Sequence, residues 1–378
     1  MISKRLIKID AFLNYISISL EFSRINPSNV RAEYRKFRKK IQNPAFRYEP
    51  ADEYLDIMLG VLKEIKLGGN PVEKLLDRKR RDLLKKIRFL LSIGTEDMTR
   101  RSKILYSYPN DDLVKRAYRL LKLPKGPKQR RIKRQETKAM LRQAFKTLGF
   151  KWRLLNRDMV TSARVNPIKQ TLELRKKERF SEKFVRRLIV HEIGVHALRA
   201  ENGREQPLKT FLHGLANYLE TEEGLAVYAE HLTGLLDNTT LRNYAGRVVA
   251  IHYALSHSFV ATYKHMKRFF TEKTAWRLTL RAKRGLCDTS RPGAYTKDAI
   301  YLRGFFKVKN YIETGGDIEN LFVGKVGLGD LPIIENIPEI NPPRYLPFEL
   351  FANEFITPGV RLPETLRERR IKKEIHDA

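Results

Sequence analysis

Apolar residues recur at helical spacing through the first third of the chain. Two such sets are Tyr54, Ile57, Met58, Val61, Leu62 and Ile65, and Leu83, Leu84, Ile87, Leu90 and Leu91. Apolar positions three, four and seven residues apart indicate amphipathic helices. We therefore predict a helical region from about Ala11 to Leu121, with breaks at Asn26–Pro27 and Asn43–Pro44.

The pattern changes after Gly149 and later becomes helical again. Short apolar or alternating runs predict three strands, at Trp152 to Leu155, Val160 to Val165 and Thr171 to Arg175. Ser181 is a suitable N-cap for the helix that follows. Further helices are predicted at about 136–148, 217–236, 240–256, 259–270 and 297–313. We therefore predict a mostly helical α+β protein with a small antiparallel sheet.

Four segments follow from these patterns. The basic stretch LPKGPKQRRIKR contains proline and glycine, which is typical of a connector. The prediction is an N-terminal helical region over 1–122, a connector over 123–134, a core over 135–336, and a Pro-rich extended segment with a charged tail over 337–378.

Charge and cysteine content narrow the class of protein. Among 378 residues, 75 are Lys or Arg and 43 are Asp or Glu, giving a formal net charge of +32. Such a charge attracts polyanions, which include nucleic acid, anionic membranes and acidic protein tails. The single cysteine, Cys287, excludes both an internal disulfide and a Cys-rich zinc site. We expect a cytoplasmic protein, with no signal peptide and no membrane span.

A pair of histidines carries the strongest chemical signal. His191 and His196 flank an apolar segment, and Glu192 follows the first of them. Zinc prefers imidazole and carboxylate ligands, but the usual two-histidine motif has a spacing of four residues. At a spacing of five, an ideal α-helix turns the two side chains about 140° apart. We therefore predict a π-bulge at Ile193 to Val195, which Gly194 makes easier.

A third ligand is expected in the segment ETEEGLAVYAE, which spans 220–230. In gluzincin-type sites this ligand is a glutamate on a later helix that packs against the first. Glu222 and Glu223 point about 100° apart, so only one can bind the metal; we favour Glu223 over Glu222. Small residues at Gly224 and Ala226 are expected to let the two helices approach closely.

The chain resembles a known family. HEIGVHALR, Asn202–Gly203 and TEEGLA together look like the QEGLA-motif proteins and the related microtubule-associated tyrosine carboxypeptidases. The likeness extends upstream to INPSNVRAEYRKF and FRYEP and downstream to RPGAYTKDAIYLRG, about Ala11 to Leu331. It implies a gluzincin-like zinc metallopeptidase core, with zinc on His191, His196 and Glu223 and with Glu192 catalytic. Glu222 stands where the prokaryotic motif has Gln, as it does in the eukaryotic enzymes.

The resemblance implies hydrolysis of a C-terminal peptide bond, with a terminal aromatic residue as one substrate. Zinc would activate a water, and Glu192 would accept its proton. For the oxyanion we predict Tyr301 as the donor, with Arg303 and Tyr295 as alternatives. We predict that the substrate carboxylate is bound by Arg303, Arg291 and Lys297, since guanidinium and ammonium groups bind carboxylates.

Two other functions are compatible with the sequence. One is a basic nucleic-acid-binding protein with structural histidines, although no nucleic-acid module is recognisable. The other is a regulator that holds a metal without turnover, as the name modulator of flavohaemoglobin expression implies for prokaryotic relatives. The expected partner of the enzyme is a peptide or protein C-terminus, with an acidic one favoured by the charge. Substrate identity and oligomeric state stay open.

Overall fold

A computed structural model describes residues 1–127, 129–159, 161–354 and 356–359. A π-helix, Ile189–Ala197, connects two of its α-helices. The α-helices are α1 (Lys4–Ser19), α2 (Val30–Lys39), α3 (Tyr54–Glu64), α4 (Pro71–Leu91), α5 (Met98–Tyr106), α6 (Asp111–Leu121), α7 (Arg134–Thr147), α8 (Glu182–Leu188), α9 (Leu198–Arg204), α10 (Thr210–His213), α11 (Tyr218–Leu232), α12 (Asn238–Ala254), α13 (Phe259–Lys267), α14 (Glu272–Lys283), α15 (Ile300–Glu313), α16 (Leu331–Ile334) and α17 (Phe348–Phe351).

The sheet has three strands, β1 (Arg153–Arg157), β2 (Ala163–Asn166) and β3 (Thr171–Arg175), in the order β1-β3-β2. β2 is antiparallel to β3, whereas β1 is parallel to it. The prediction of an antiparallel sheet is therefore wrong for one of the two pairings. β3 takes the central position, so the chain crosses from β1 to the far edge before it returns. Alternation of side chains cannot reveal this, because it is the same in both pairings.

The chain folds into two compact units, each discontinuous in sequence. One unit comprises Met1–Ser3, Gly126–Asp237 and the chain from Gly304 onward; the other comprises Lys4–Lys125 and Asn238–Arg303. Part of the predicted 135–336 core, residues 238–303, thus groups with the N-terminal helices. The functional division into four segments stays a prediction.

The unit that contains the N-terminal helices has an aromatic core. The ring of Phe37 on α2 lies 5.7 Å from Phe259, 4.7 Å from Tyr263 and 4.6 Å from Trp276, which are carried by α13 and α14. Rings at these separations add edge-to-face attraction to the burial of apolar surface. Helices α1 to α6 confirm the helical periodicity predicted before Leu121, whereas α14 was not predicted.

The other unit surrounds the π-helix. Ser181 caps α8 by accepting a hydrogen bond from the backbone N–H of Phe184, as the sequence predicts. The continuous run of α8, π-helix and α9 buries its apolar face, and α11, α17 and β2 all contact the π-helix. The site described below is therefore built on packed regular elements.

The chain after residue 337 differs from its prediction as an extended segment. It contains the short helix α17, in which Phe348, Leu350 and Phe351 are buried. The charged tail, residues 360–378, and Val160 of the second predicted strand lie outside the described residues. Among the helices that are described, none combines the length and the apolar character that crossing a bilayer requires.

Candidate metal centre

The two histidines lie on the π-helix, Ile189–Ala197. The predicted widened turn at Ile193 to Val195 is confirmed, and the widening extends over nine residues rather than one turn. Because a π-helix bonds residue i to i+5, it brings side chains five apart onto one face. The ring centroids of His191 and His196 accordingly lie 4.9 Å apart.

Glu223 on α11 meets both rings. Its Oε2 lies 3.7 Å from Nε2 of His191 and 3.8 Å from Nε2 of His196. Tetrahedral coordination with bonds of about 2.0–2.2 Å sets ligand atoms roughly 3.3–3.6 Å apart, close to what is observed. The three ligand atoms lie within 4.8 Å of one another, and the side chains keep 12–13% exposure. The three donor atoms are placed so that they could hold a single metal ion, and their partial exposure leaves the centre accessible to solvent.

The opposite nitrogen of each imidazole is held by a buried carboxylate. Nδ1 of His191 lies 2.7 Å from Oε1 of Glu230, and Nδ1 of His196 lies 2.8 Å from Oε1 of Glu222. An ionised carboxylate only accepts hydrogen bonds, so both Nδ1 atoms carry the proton. In the neutral ring, Nε2 then carries the lone pair that can bind a metal.

Glu222 is ionised because of the cations around it. Burial alone would raise the pKa of its carboxyl, but Lys325, Arg199 and His196 together hold that pKa well below its usual range. Lys325 donates to Oε1 at 2.6 Å, and the guanidinium of Arg199 donates to Oε2. Both carboxylate oxygens of Glu222 therefore already accept hydrogen bonds from cations. Glu223 is the carboxylate that lies near both Nε2 atoms.

The carboxylates around His191 favour the protonated form of its imidazole. Burial lowers the pKa of its imidazole, but the carboxylates of Glu223 and Glu230 outweigh that effect and raise the pKa to about 10. A metal ion at Nε2 would have to displace this proton. Glu192 follows His191 on the same π-helix and is half-buried.

Gly194 and Gly224 each make a close contact that the sequence does not predict. A Cβ at Gly194 would lie 2.7 Å from Cε1 of Phe351, so this glycine makes room for α17 as well as easing the π-helix. A Cβ at Gly224 would lie 2.2 Å from the backbone carbon of Gly304. The nearest neighbour of Gly224 is therefore α15, and α11 also packs against the π-helix, as the sequence predicts.

The residues predicted to bind the substrate belong to the other unit. Tyr301 stacks on Tyr244 at 5.6 Å. Arg303 donates to the carbonyl of Tyr106 at 2.6 Å, and Arg291, which is 67% exposed, pairs with Glu96 at 2.8 Å. Lys297 lies half-buried in a 3₁₀ turn, Lys297–Ala299. The catalytic and substrate-binding roles assigned to these four residues stay predictions.

Three further residues contact the site and were not predicted from the sequence: Glu230, Arg199 and Lys325. For Glu230 a signal was present, because seven residues separate it from Glu223 and a seven-residue step returns to the same face of a helix. For Lys325 no local pattern exists, since 103 residues separate it from Glu222.

Together, the helical α+β fold and the His191, His196 and Glu223 cluster describe a protein built around a candidate metal centre with an adjacent glutamate. The family model described as microtubule-associated tyrosine carboxypeptidase matches residues 33–356. The chain belongs to this family, as its motifs led us to expect.

Individual relatives match over shorter stretches. The human protein named "Putative tyrosine carboxypeptidase MATCAP2" is 31% identical over 161 residues, which cover 41% of this chain and 31% of that protein. The mouse protein named "Microtubule-associated tyrosine carboxypeptidase 1" is 33% identical over 132 residues, 34% of this chain and 28% of that protein. The human protein of the same name matches with the same identity and coverage. The matched stretches thus span less than a third of these relatives.

Proposed function

We propose that the chain is a zinc-dependent carboxypeptidase with a gluzincin-type core. The observation that carries the proposal is the meeting of two imidazole Nε2 atoms and one carboxylate oxygen at a partly exposed point. Three protein ligands with an open fourth position are typical of catalytic zinc. Membership of a family named for tyrosine carboxypeptidases supports the reaction class.

Glu192 is the proposed general base. A zinc ion at this centre would supply Lewis acidity to the peptide carbonyl and to the attacking water. Glu192 accepts the proton of that water and passes it to the leaving amine. Glu192 directly follows His191 on the π-helix, and its charge is among those that raise the pKa of the His191 imidazole.

We propose the edge of the sheet as the place where an extended peptide substrate binds. β2 is an edge strand that pairs with β3 on one side and contacts the π-helix. A substrate strand added to β2 would lie beside an element that contacts the histidine-bearing π-helix, because backbone hydrogen bonds align added strands with the sheet. The net charge of +32 favours acidic chain ends, and the names of the relatives favour a terminal tyrosine.

The test combines metal content with peptide turnover. We expect one zinc per chain in the wild type and in Glu192→Gln, and little in His191→Ala. Mass spectrometry of a C-terminal peptide library should detect release of terminal residues by the wild type. Glu192→Gln should be slower by roughly 10²–10⁴-fold, the usual contribution of a general base. His252→Ala, an exposed histidine on α12, is the matched control.

Each result separates the candidate functions. Equal zinc in the wild type and in His191→Ala would end the metal assignment. Zinc without Glu192-dependent release of residues would favour the regulator that holds a metal without turnover. A protein that binds no zinc but binds DNA or RNA with a steep salt dependence would be the nucleic-acid-binding alternative.

A further inference from the structure

Three glutamates of α11 take part in the metal centre, and only one of them faces the metal position. Glu223 approaches both Nε2 atoms, whereas Glu222 and Glu230 lie on the Nδ1 side of the rings. The side chains of Glu222 and Glu230 are 2% and 1% exposed. Such burial excludes water as an alternative acceptor, so the two carboxylates determine which nitrogen of each ring is protonated.

Glu222 is fixed from its other side. Its Oε1 accepts from Lys325 at 2.6 Å, and its Oε2 accepts from Arg199. Arg199 is fully buried and also donates to the carbonyls of Gly324 at 2.9 Å and Val326 at 2.6 Å. If Glu222 turned toward the metal position, two buried cations would lose their counter-charge, which is strongly unfavourable. Its carboxylate therefore keeps its orientation.

Glu230 is the equivalent group for His191. It lies two helical turns beyond Glu223, on the same side of α11, and its Oε2 lies 3.6 Å from Nη1 of Arg187. One rigid helix thus carries the third metal ligand and both partners of the two histidines. A shift of α11 would move all three contacts together.

We propose that Glu222 and Glu230 are the positioning residues of the metal centre: each accepts the Nδ1–H of one histidine, so that both Nε2 atoms and Glu223 converge on a single ion. Arg199 and Lys325 support this arrangement by holding Glu222. The inference rests on the proposed function, because it assumes that the cluster binds a metal. It also excludes Glu222 as the third ligand.

Cobalt(II) is the probe, because its visible absorption reports ligand geometry without any need for turnover. Glu222→Gln and Glu230→Gln should each bind one Co²⁺ per chain, with a dissociation constant raised roughly 10–100-fold and an altered d–d spectrum. Glu220→Gln is the matched control on the same helix, since Glu220 pairs with Lys307 at 2.5 Å. It should leave both the affinity and the spectrum unchanged.

Loss of Glu222 leaves Arg199 and Lys325 without their counter-charge and can unfold the protein. Glu222→Gln combined with Lys325→Met removes one of these cations and should show the same weakened Co²⁺ binding. A second measurement needs no variant. In wild-type protein loaded with ¹¹³Cd, NMR should show coupling from cadmium to Nε2 of His191 and His196, with a proton on each Nδ1.

The outcomes are distinct. Coupling of ¹¹³Cd to either Nδ1 would overturn the inference. So would Co²⁺ affinities and spectra in Glu222→Gln and Glu230→Gln that equal those of the wild type, even if these variants were less stable. A wild-type protein that binds neither Co²⁺ nor ¹¹³Cd would reject the proposed function itself, and the positioning roles with it.

Discussion

Lys283 ends α14 with none of its surface exposed, and its ammonium donates to the carbonyl of Arg291 at 2.7 Å. Burial lowers the pKa of this lysine to about 7, although nearby Asp288 favours the charged form. A free lysine titrates at about 10.4. Between these two pH values the unfolded chain therefore binds one proton more than the folded chain does.

This difference predicts that Lys283 makes the unfolding free energy depend on pH. The unfolding free energy rises with pH wherever the unfolded state binds more protons. Relative to Lys283→Met, the wild type should therefore gain roughly 3 kcal/mol between pH 7 and pH 9.5. Urea denaturation at both pH values measures the gain. Lys273→Met, an exposed position on α14, should follow the wild type. Parallel profiles for the wild type and Lys283→Met would contradict the prediction.

At the scale of elements, α11 and α15 cross at a pair of glycines, Gly224 and Gly304. A Cβ at Gly304 would lie 2.1 Å from the carbonyl oxygen of Glu220, and one at Gly224 would lie 2.2 Å from the backbone carbon of Gly304. Backbone atoms cannot move aside as a flexible side chain can. The contact between α11 and α15 in this unit therefore requires that both positions lack a side chain.

Alanine at two helical glycines should have opposite effects. Gly304→Ala should lower the unfolding free energy by roughly 1–3 kcal/mol, because the added methyl overpacks the crossing. Gly60→Ala on α3 should raise it by roughly 0.5–1 kcal/mol, since nothing lies within 4 Å of its Cβ and alanine is the better helix former. Chemical denaturation measures both. A stabilising Gly304→Ala would mean that the helices do not cross at this distance.

The π-helix also depends on a neighbour. A Cβ at Gly194 would lie 2.7 Å from Cε1 of Phe351 and 3.2 Å from Cδ2 of Leu350. Gly194→Ala should therefore weaken Co²⁺ binding and lower stability by roughly 1–3 kcal/mol, because α17 and the π-helix must separate. In a double-mutant cycle, Phe351→Leu should recover part of both losses. If the effects of the two substitutions were additive, the loss of stability in Gly194→Ala would arise within the π-helix and not from its contact with Phe351.

At the scale of the whole molecule, the proposed metal site would link metal binding to folding. A ligand that binds only the folded chain raises the unfolding free energy by about 2.7 kcal/mol at a concentration of 100 times its dissociation constant. Zinc should therefore raise the thermal midpoint of the wild type by several degrees, and a chelator should reverse the rise. Calorimetry measures the shift. It should be absent in His191→Ala and retained in His252→Ala; a shift of equal size in both would place the zinc elsewhere.

The net charge of +32 also belongs to the whole molecule. It sets the sign of the field that an approaching partner meets and the salt dependence of the encounter, and it does not choose between an acidic peptide and a nucleic acid. Only the localised geometry of His191, His196 and Glu223 favours a hydrolase. Charge thus limits the class of partner, while the site carries the proposed chemistry.

Local patterns were enough to predict much of the protein. The periodic apolar residues before Leu121, the N-cap at Ser181 and strand β3 were predicted correctly, because neighbours within a few residues determine each of them. The widened helix was also predictable, since two histidines five apart can share a face only if the turn is widened. The choice of Glu223 agrees with the geometry, because adjacent helical residues point in different directions.

Only the tertiary structure determined the features that join distant parts of the chain. Side-chain alternation is the same in both pairings, so it could not reveal that β1 runs parallel to β3. Lys325 reaches Glu222 across 103 residues, and the backbone that lies nearest Gly224 is that of Gly304 on α15. Local spacing identifies the residues that can bind a metal, whereas long-range packing decides which carboxylate faces it and which ones hold the rings.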